Sequence, residues 1–448
     1  MAATFKAPVG TRDTLPPESR RWEALVAAFA GAAGRAGFGL LQSPTFEDLG
    51  VFERVGEGTD IVTKEMYDFE DKGGRHIALR PEGTAPVVRA YLEHHPTDPW
   101  KVWYAAPTFR YERPQAGRYR QHHQLGVEVL GSVDADVDVE VIALAWDFLS
   151  DVGLRRVKLL VNSMGEPEDR VRYAGVLQTF FRDRLDALAE EDREKVEHHP
   201  LRVLDSKRPA TAAVVADAPR PAEHLAEAST AHFARVQAGL DALGIPFTIE
   251  PRLVRGLDYY TRTTFELQAE ALDSAQNAVG GGGRYDDLAE ALGGPSTPGI
   301  GFGMGVERVL LAADAEAVWP VPDSPVEVFV VDVTGGDVAR DLTSRLRRAG
   351  LGADRGFDGR SMKSQMKAAD RSGARFAAIV GEDEAAAGVV TLRDLRSDHP
   401  QEQVSMNDVI DTITAAHSGH AAESEAAVGS RSRAGGSDAA ESEAEQHG

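Results

Sequence analysis

The sequence predicts mixed helix and strand in two or three domains, and three observations carry that expectation. At 448 residues the chain is too long for one ordinary core. Residues 109–131, FRYERPQAGRYRQHHQLGVEVLG, read as two alternating strands around a turn at Pro114, Gln115, Ala116 and Gly117. Beyond a linker at residues 319–325, strand and helix patterns alternate as a small α/β domain requires.

The hairpin is the most informative of these. Arg110, Arg113, Arg118 and Arg120 crowd its tip. A planar guanidinium takes two phosphate oxygens at once, so several on one hairpin suit a polyphosphate. The return strand sets Gln124, Gly126 and Glu128 on one face and Leu125, Val127 and Val129 on the other. Gln124 and Glu128 are thus placed to grip a small polar substrate beside the cationic tip. A salt-bridged surface hairpin is the competing reading.

The other elements follow in order. Residues 16–37 read as a helix opened by Pro16 and Pro17, striped by Trp22, Leu25, Val26 and Phe29, and ended by Gly37. Residues 38–51 are a mixed apolar stretch whose Pro44 belongs at a strand edge or an interface. HIALRPEGT at 76–84 is a strand running into a helix, with Glu82 and Thr84 at the turn. A carboxylate and a hydroxyl there suit an ammonium group, or Thr84 is an ordinary N-cap.

Residues 134–151 predict a helix with Val139, Ile142, Leu144, Ala145 and Phe148 inward, and 156–162 a strand. From 167 to about 244 the pattern is helical, charged and broken by prolines. The run Gly280 to Gly283 is placed to cradle phosphate or simply to turn, and it matches neither P-loop nor GxGxxG spacing. Residues 299–310 read as a glycine-rich strand leading into a helix.

In the last domain, 326–333 and 376–380 read as strands, 338–350 and 361–372 as helices, ending near residue 415. Met362, Met366 and Ala369 share an inner face of the second helix; Lys363, Lys367 and Arg371 line another. From 418 onward Ala, Ser, Glu and Gly dominate, the composition of a disordered tail.

Composition narrows the function. Without cysteine there is no disulfide framework, thiolate zinc site or cysteine nucleophile. No HExxH occurs, and on a strand the pairs His94-His95, His122-His123 and His198-His199 would point apart, so no metal site is expected. The start lacks a signal-peptide apolar region and no run of eighteen apolar residues exists, which predicts a cytoplasmic protein with no membrane partner. The net charge of −22 is awkward for a nucleic-acid binder. Removing the −4 tail leaves −18, and nine Lys stand against forty Arg. Such a surface suits concentrated salt, where the Debye length falls to about 3 Å at 1 M, so a halophilic cytoplasm is the hypothesis.

FRYE, the Arg-rich loop and HQLGVEVLG resemble motif 2 of class II aminoacyl-tRNA synthetases, specifically of the histidyl-tRNA synthetase family. RGLDYYTRTTFE at 255–266 matches the histidine-specific motif, residues 38–51 with Pro44 look like motif 1, and GIGFGMGVERVL at 299–310 like motif 3. GRSMKSQMK at 359–367 resembles the class IIa anticodon-binding domain. The resemblance covers roughly residues 5–415.

It implies an α+β fold: a class II antiparallel-sheet catalytic domain with a helical insertion, plus a C-terminal α/β anticodon-binding domain. The expected divisions are 1–165 and 247–320 for the catalytic domain, 166–246 for the insertion, 326–415 for the anticodon domain and 416–448 for the tail. The implied reaction joins ATP and L-histidine as histidyl-adenylate, then passes the histidyl group to tRNA(His). Arg110 and Arg255 would be catalytic. Glu82, Thr84, Gln124, Glu128, Arg255, Tyr259 and Tyr260 would bind histidine, with Glu128 and Tyr260 at the two imidazole nitrogens. Arg110, Glu112, Arg118, His122 and Arg308 would bind ATP with its Mg2+. His122 stands where the family usually has Phe. The GGRYD segment would close the histidine pocket. Arg360, Lys363, Gln365 and Lys367 would touch tRNA, and motif 1 implies a homodimer. The alternative is the non-catalytic, synthetase-like regulatory subunit of ATP phosphoribosyltransferase.

Overall fold

The structure is a computed structural model of the chain, and it describes residues 5–56, 61–204, 206, 208–253, 259–273 and 277–416. Arg255 and its neighbours 254–258 lie outside the described residues, as does the stretch read as a disordered tail. Two compact units divide between Val321 and Pro322.

The first unit begins with α1 (Glu18–Arg35), β1 (Gly39–Leu40), β2 (Phe46–Asp48), α2 (Leu49–Gly56), β3 (Tyr67–Glu70), β4 (His76–Leu79) and α3 (Thr84–His94). The hairpin β5 (Trp100–Phe109) and β6 (Gln121–Leu130) follows, then α4 (Ala135–Asp151) and β7 (Val157–Ser163). A helical run comprises α5 (Pro167–Arg182), the short α6 (Glu190–Arg193), α7 (Lys195–His198), α8 (Pro200–Val203) and α9 (Pro209–Val215), and α10 (Glu227–Ala242). The chain returns through β8 (Phe247–Ile249), β9 (Thr261–Ala269), β10 (Ala278–Arg284), α11 (Leu288–Ala291), β11 (Gly299–Gly305) and α12 (Val306–Ala315).

Eight strands form one sheet in the order β1-β5-β6-β11-β10-β9-β7-β8, antiparallel except at its two ends. Its third strand, β6, is buried on both faces from Leu125 onward. Leu125, Val127 and Val129 pack with Leu25 and Phe29 of α1, Ile142 and Phe148 of α4, and Val236 of α10. This is the apolar stripe of each amphipathic helix meeting the apolar half of the pleat. The opposite face carries α3 and α11 over Tyr104, Tyr259 and Tyr285. A second sheet, β2-β4-β3, has β2 at its edge. Pro44 stands just before it, where a missing N–H breaks no ladder.

The helical run has a core of its own, including Tyr173, Leu177, Phe181, Val196 and Val203. Buried carboxylates tie its turns. Asp192 accepts from Lys195, Ser206, Arg208 and Thr211. Asp169 accepts from the Glu166 and Ala226 amides and the Ser229 hydroxyl.

The second unit orders its strands β13-β12-β14-β15-β16: β12 (Val328–Asp332), β13 (Ala353–Arg355), β14 (Phe376–Val380), β15 (Val389–Asp394) and β16 (Glu402–Ser405). Helices α13 (Asp337–Arg348), α14 (Met362–Ser372) and α15 (Glu382–Ala387) complete it.

Three expectations need correction. Gly280 to Gly283 form the interior of β10 rather than a loop; a Cβ at Gly280, Gly282 or Gly283 would lie 2.6, 1.9 or 2.4 Å from Met304, Gly301 O or Thr263 O. Of the expected inner face of α14, Met366 and Ala369 pack inward as read, but Met362 is exposed and Gln365 is buried in addition. Only His122-His123 of the three His pairs sits on a strand; the others end helices.

Candidate active site

Glu128 is the centre of the buried side of the site. In β6 it faces Val102 of β5 and Gly301 of β11. A Cβ on Gly301 would lie 1.7 Å from the Glu128 carboxylate, and one on Gly126 2.3 Å from the Tyr104 ring. Only glycine fits beside these side chains, which accounts for glycines in strands they would otherwise weaken. The Glu128 carboxylate is fully buried and accepts from Thr84 Oγ1 at 2.8 Å, Tyr104 Oη at 3.2 Å and Tyr285 Oη at 2.6 Å. Burial pushes its pKa up to about 8; Tyr285 and Thr84 oppose the shift and nearby Glu82 adds to it.

Glu82 caps α3, correcting the alternative that Thr84 does so. Its carboxylate accepts from the Thr84 and Ala85 amides at 2.6 and 2.8 Å, while the Thr84 hydroxyl turns to Glu128. Burial raises the Glu82 pKa against those two amides and Arg110. Tyr259 is buried and Tyr260 half-buried, their rings 4.9 Å apart, and Tyr259 meets Tyr285 edge-on at 6.0 Å. The hydroxyls that reach Glu128 are those of Thr84, Tyr104 and Tyr285, so Tyr104 and Tyr285 join the site. Tyr285 lay in the GGGGRYDD run; Tyr104 had no signal beyond its register opposite Gly126.

Four residues back along the same strand and on the same face, Gln124 lines a cavity of about 310 Å3 shared with Arg110, Glu112, Arg118, His122 and Arg308. The loop between β5 and β6 folds back so that Arg110 Nε donates to Pro81 O at 2.8 Å and Arg118 pairs with Glu112 at 2.7 Å. Arg308, in the first turn of α12, donates to Gly117 O at 3.2 Å and Ala278 O at 2.7 Å. Burial lowers its pKa, with Arg118 adding to the effect. Three guanidinium groups around one cavity make a site for a polyanion. His122 is neutral there, since burial and then Arg110 lower its pKa to about 3. His123 turns away to Glu307, 2.9 Å from its carboxylate.

Among the described residues no cluster of three or more His, Asp or Glu is suited to hold a metal ion. The carboxylates of Glu112 and Glu266 do line the cavity, where a cation arriving on a polyphosphate would meet them. Among the same residues no helix is long and apolar enough to cross a membrane.

In the second unit Arg360, Lys363 and Lys367 are exposed. Gln365 is not available to a partner. It is 3% exposed, donates to Asp332 O and Arg360 O at 2.7 Å each, and accepts from the Asp332 amide at 3.0 Å. A side-chain amide so engaged holds β12 to α14, which corrects its assignment to RNA contact.

Comparison with known proteins agrees with these features. The sequence profile of histidyl-tRNA synthetases matches residues 10–309 and that of the anticodon binding domain residues 326–416. A histidine–tRNA ligase of Rhodococcus erythropolis is 47% identical over 420 residues, 92% of this chain and 98% of the relative. One from Streptomyces coelicolor is 46% identical over 417 residues, 91% of this chain and 97% of the relative. The crystal structure of apo histidyl-tRNA synthetase from S. aureus superposes with a TM-score of 0.78 at 35% identity, covering 92% of this chain and all of that one.

Proposed function

The chain belongs to the histidyl-tRNA synthetase family and is a histidine–tRNA ligase; from its site we infer how the residues divide the work. The regulatory-subunit alternative is not favoured, because relatives matching nearly the whole chain are ligases. The observation that carries our reading is the shared strand β6. It holds Glu128 in a buried polar pocket and, four residues away on the same face, Gln124 at the wall of the cationic cavity.

Glu128, with the hydroxyls around it, reads the imidazole. A site built to satisfy both ring nitrogens rejects isosteric side chains by leaving its own buried groups unpaired. Tyr260 stands at the second nitrogen. Glu82, Thr84 and Gln124 take the α-amino end, and Tyr259 forms the wall. ATP occupies the cationic cavity, with Arg110 on the α-phosphate and Arg118 and Arg308 on the outer phosphates. His122 stacks on one face of the adenine and Arg308 on the other. Glu112, beside Arg118, faces the nucleotide. Glu112 and Glu266 line the cavity where they would meet Mg2+ arriving with ATP, which would supply charge neutralisation to the phosphates.

In the first step the histidine carboxylate attacks the α-phosphorus. A carboxyl O–P bond forms, the bond to the β-phosphate oxygen breaks, and pyrophosphate leaves. The nucleophile is already ionised, so no general base is required; Arg110 and Arg255 stabilise the charge building on the α-phosphate oxygens. In the second step a ribose hydroxyl of the 3′-terminal adenosine of tRNA(His) attacks the adenylate's carbonyl carbon; an ester bond forms, the bond from that carbon to the phosphate oxygen breaks, AMP leaves, and the hydroxyl proton is released. Arg360, Lys363 and Lys367 present cations to that tRNA, the enzyme works as a cytoplasmic homodimer, and its acidic body suits an ion-rich medium.

The deciding experiment is amino-acid-dependent ATP–pyrophosphate exchange with each of the twenty amino acids. Exchange with histidine alone is expected. Exchange with another amino acid would keep the fold and discard the pocket.

A further inference from the structure

Arg284 and Tyr285 are consecutive residues at the end of β10, and they serve opposite faces of the sheet. Tyr285 packs with Tyr104, Tyr259 and Leu288 and reaches Glu128. Arg284 enters the helical layer and is fully buried. Its Nε and one Nη meet the same Asp138 oxygen at 2.8 and 2.7 Å. Ser132 O, Asp134 O and the Asp286 carboxylate take the remaining N–H groups at 2.9, 3.0 and 3.2 Å. All five guanidinium donors therefore have acceptors, which fixes the fork in all directions.

The chain of contacts continues. The second Asp138 oxygen lies 2.8 Å from His232 Nε2 on α10, and His232 Nδ1 lies 3.3 Å from an Arg262 Nη. Arg262 has only hydrogens to offer, so Nδ1 accepts and Nε2–H donates to Asp138. Arg262 itself is held by Glu166, at 3.1 Å through Nε. Its backbone is at φ +43, a conformation disfavoured for a non-glycine residue, and its amide donates to Gly165 O at 2.7 Å. Arg262 follows Tyr259 by three residues and Tyr260 by two, so the network clamps the strand ends that carry the pocket walls.

Apolar residues of similar volume would stabilise this interior as well or better, because desolvating an ion pair is costly. What a fully satisfied guanidinium adds is a fixed position. We propose that Asp138, His232 and Arg284 are positioning residues that hold Tyr285 and the Tyr259–Tyr260 wall at the spacing that reads histidine, without touching it. The proposal rests on Glu128 being the imidazole reader.

The test is histidine-dependent pyrophosphate exchange by the full chain. His232→Ala is expected to raise the KM for histidine about tenfold with the KM for ATP nearly unchanged. His232→Gln, whose amide N–H can reach Asp138, is expected to recover most of that loss. If His232 acts through Tyr285, His232→Ala adds little in a Tyr285→Phe background. A purely structural role would lower Tm and yield and leave the histidine KM of the folded enzyme alone. That result, or fully additive losses in the double variant, would overturn the proposal. His232 carries the test in case Arg284→Lys fails to fold. An unchanged histidine KM in Tyr285→Phe alone would remove the pocket reading, and the proposal with it.

Discussion

Tyr285 donates its hydroxyl to Glu128 at 2.6 Å from a strand two places across the sheet, with the glycine-rich β11 between them. The contact joins a residue of the GGGGRYDD run to one of the hairpin, 157 positions apart. It exists because β11 has no side chain at Gly301, and a Cβ on Gly299 would lie 2.2 Å from the Tyr285 ring. Three hydroxyls converge on one buried carboxylate, and the donors are fixed before any substrate arrives. Preorganisation of this kind costs stability and confers selectivity.

Glu128 should therefore trade stability against function. Its pKa is 4.5 ordinarily and about 8 here, so the folded chain binds more protons than the unfolded one between those values. The stability of the folded state should fall as pH rises through that window and level off above it. Glu128→Gln is expected to flatten the decline and to melt higher than the wild type at pH 8. Above pH 8, where Glu128 is ionised, the same change should raise the histidine KM by roughly 10- to 150-fold, the worth of a charged hydrogen bond. Thermal melts across pH 4.5–9 and exchange kinetics read both. A variant with wild-type histidine affinity would sink the pocket assignment.

Arg308 bridges the hairpin loop to β10 through Gly117 and Ala278, so it shapes the cavity and charges it together. Arg308→Ala should reduce pyrophosphate exchange roughly 100- to 1,000-fold, comparable to loss of one donor to a developing oxyanion. Arg308→Lys should recover little, since an ammonium lacks the planar fork. Full activity in the lysine variant would show that only charge is needed.

His122 tests what the cavity needs from a flat ring. With a pKa near 3 it stays neutral from pH 5 to pH 9, so its titration should leave no inflection in the KM for ATP across that range. His122→Phe is expected to keep exchange and to bind ATP at least as tightly. A large loss would mean that an imidazole nitrogen, rather than the ring face, meets the nucleotide.

Much of this was legible because the motifs are local. Alternation in β6 separated Glu128 from Leu125 and Val127, and the stripe on α1 named its inward Leu25 and Phe29. Contacts across the sheet were not legible. Tyr104 meets Glu128 through a register that no local pattern encodes. Gly280 to Gly283 look like a loop until the neighbouring strands are seen to need the space. Gln365, which the family resemblance implies as a tRNA contact beside Lys363 and Lys367, closes a buried hydrogen-bond set with Asp332. The short β13, β15 and β16 depend on pairing rather than on apolar runs of their own.

The acidity of the body makes a separate prediction. With a net charge of −22, repulsion of tRNA should weaken as the screening length shrinks. Aminoacylation is expected to peak near ~1 M KCl, where that length is about 3 Å. A maximum in dilute buffer would count against a salt-adapted surface.

The helical run should be the acid-sensitive part of the first unit. Asp192 is fully buried, and burial alone would raise its pKa. Bonds from Lys195, Ser206 and Thr211 outweigh that and hold the carboxyl well below its usual range. A carboxylate with a depressed folded pKa contributes stability that is present above the unfolded value and is lost as pH falls through the folded one. Acidification below about pH 4 should thus loosen the helices between α5 and α10. Asp192→Asn leaves its partners with a weaker acceptor and should destabilise that run by roughly 1–3 kcal/mol at neutral pH. Limited proteolysis would then cut first between residues 183 and 226, while histidine-dependent exchange, which uses none of these groups, should change little. Cleavage elsewhere first would show that Asp192 is not what holds these short helices together.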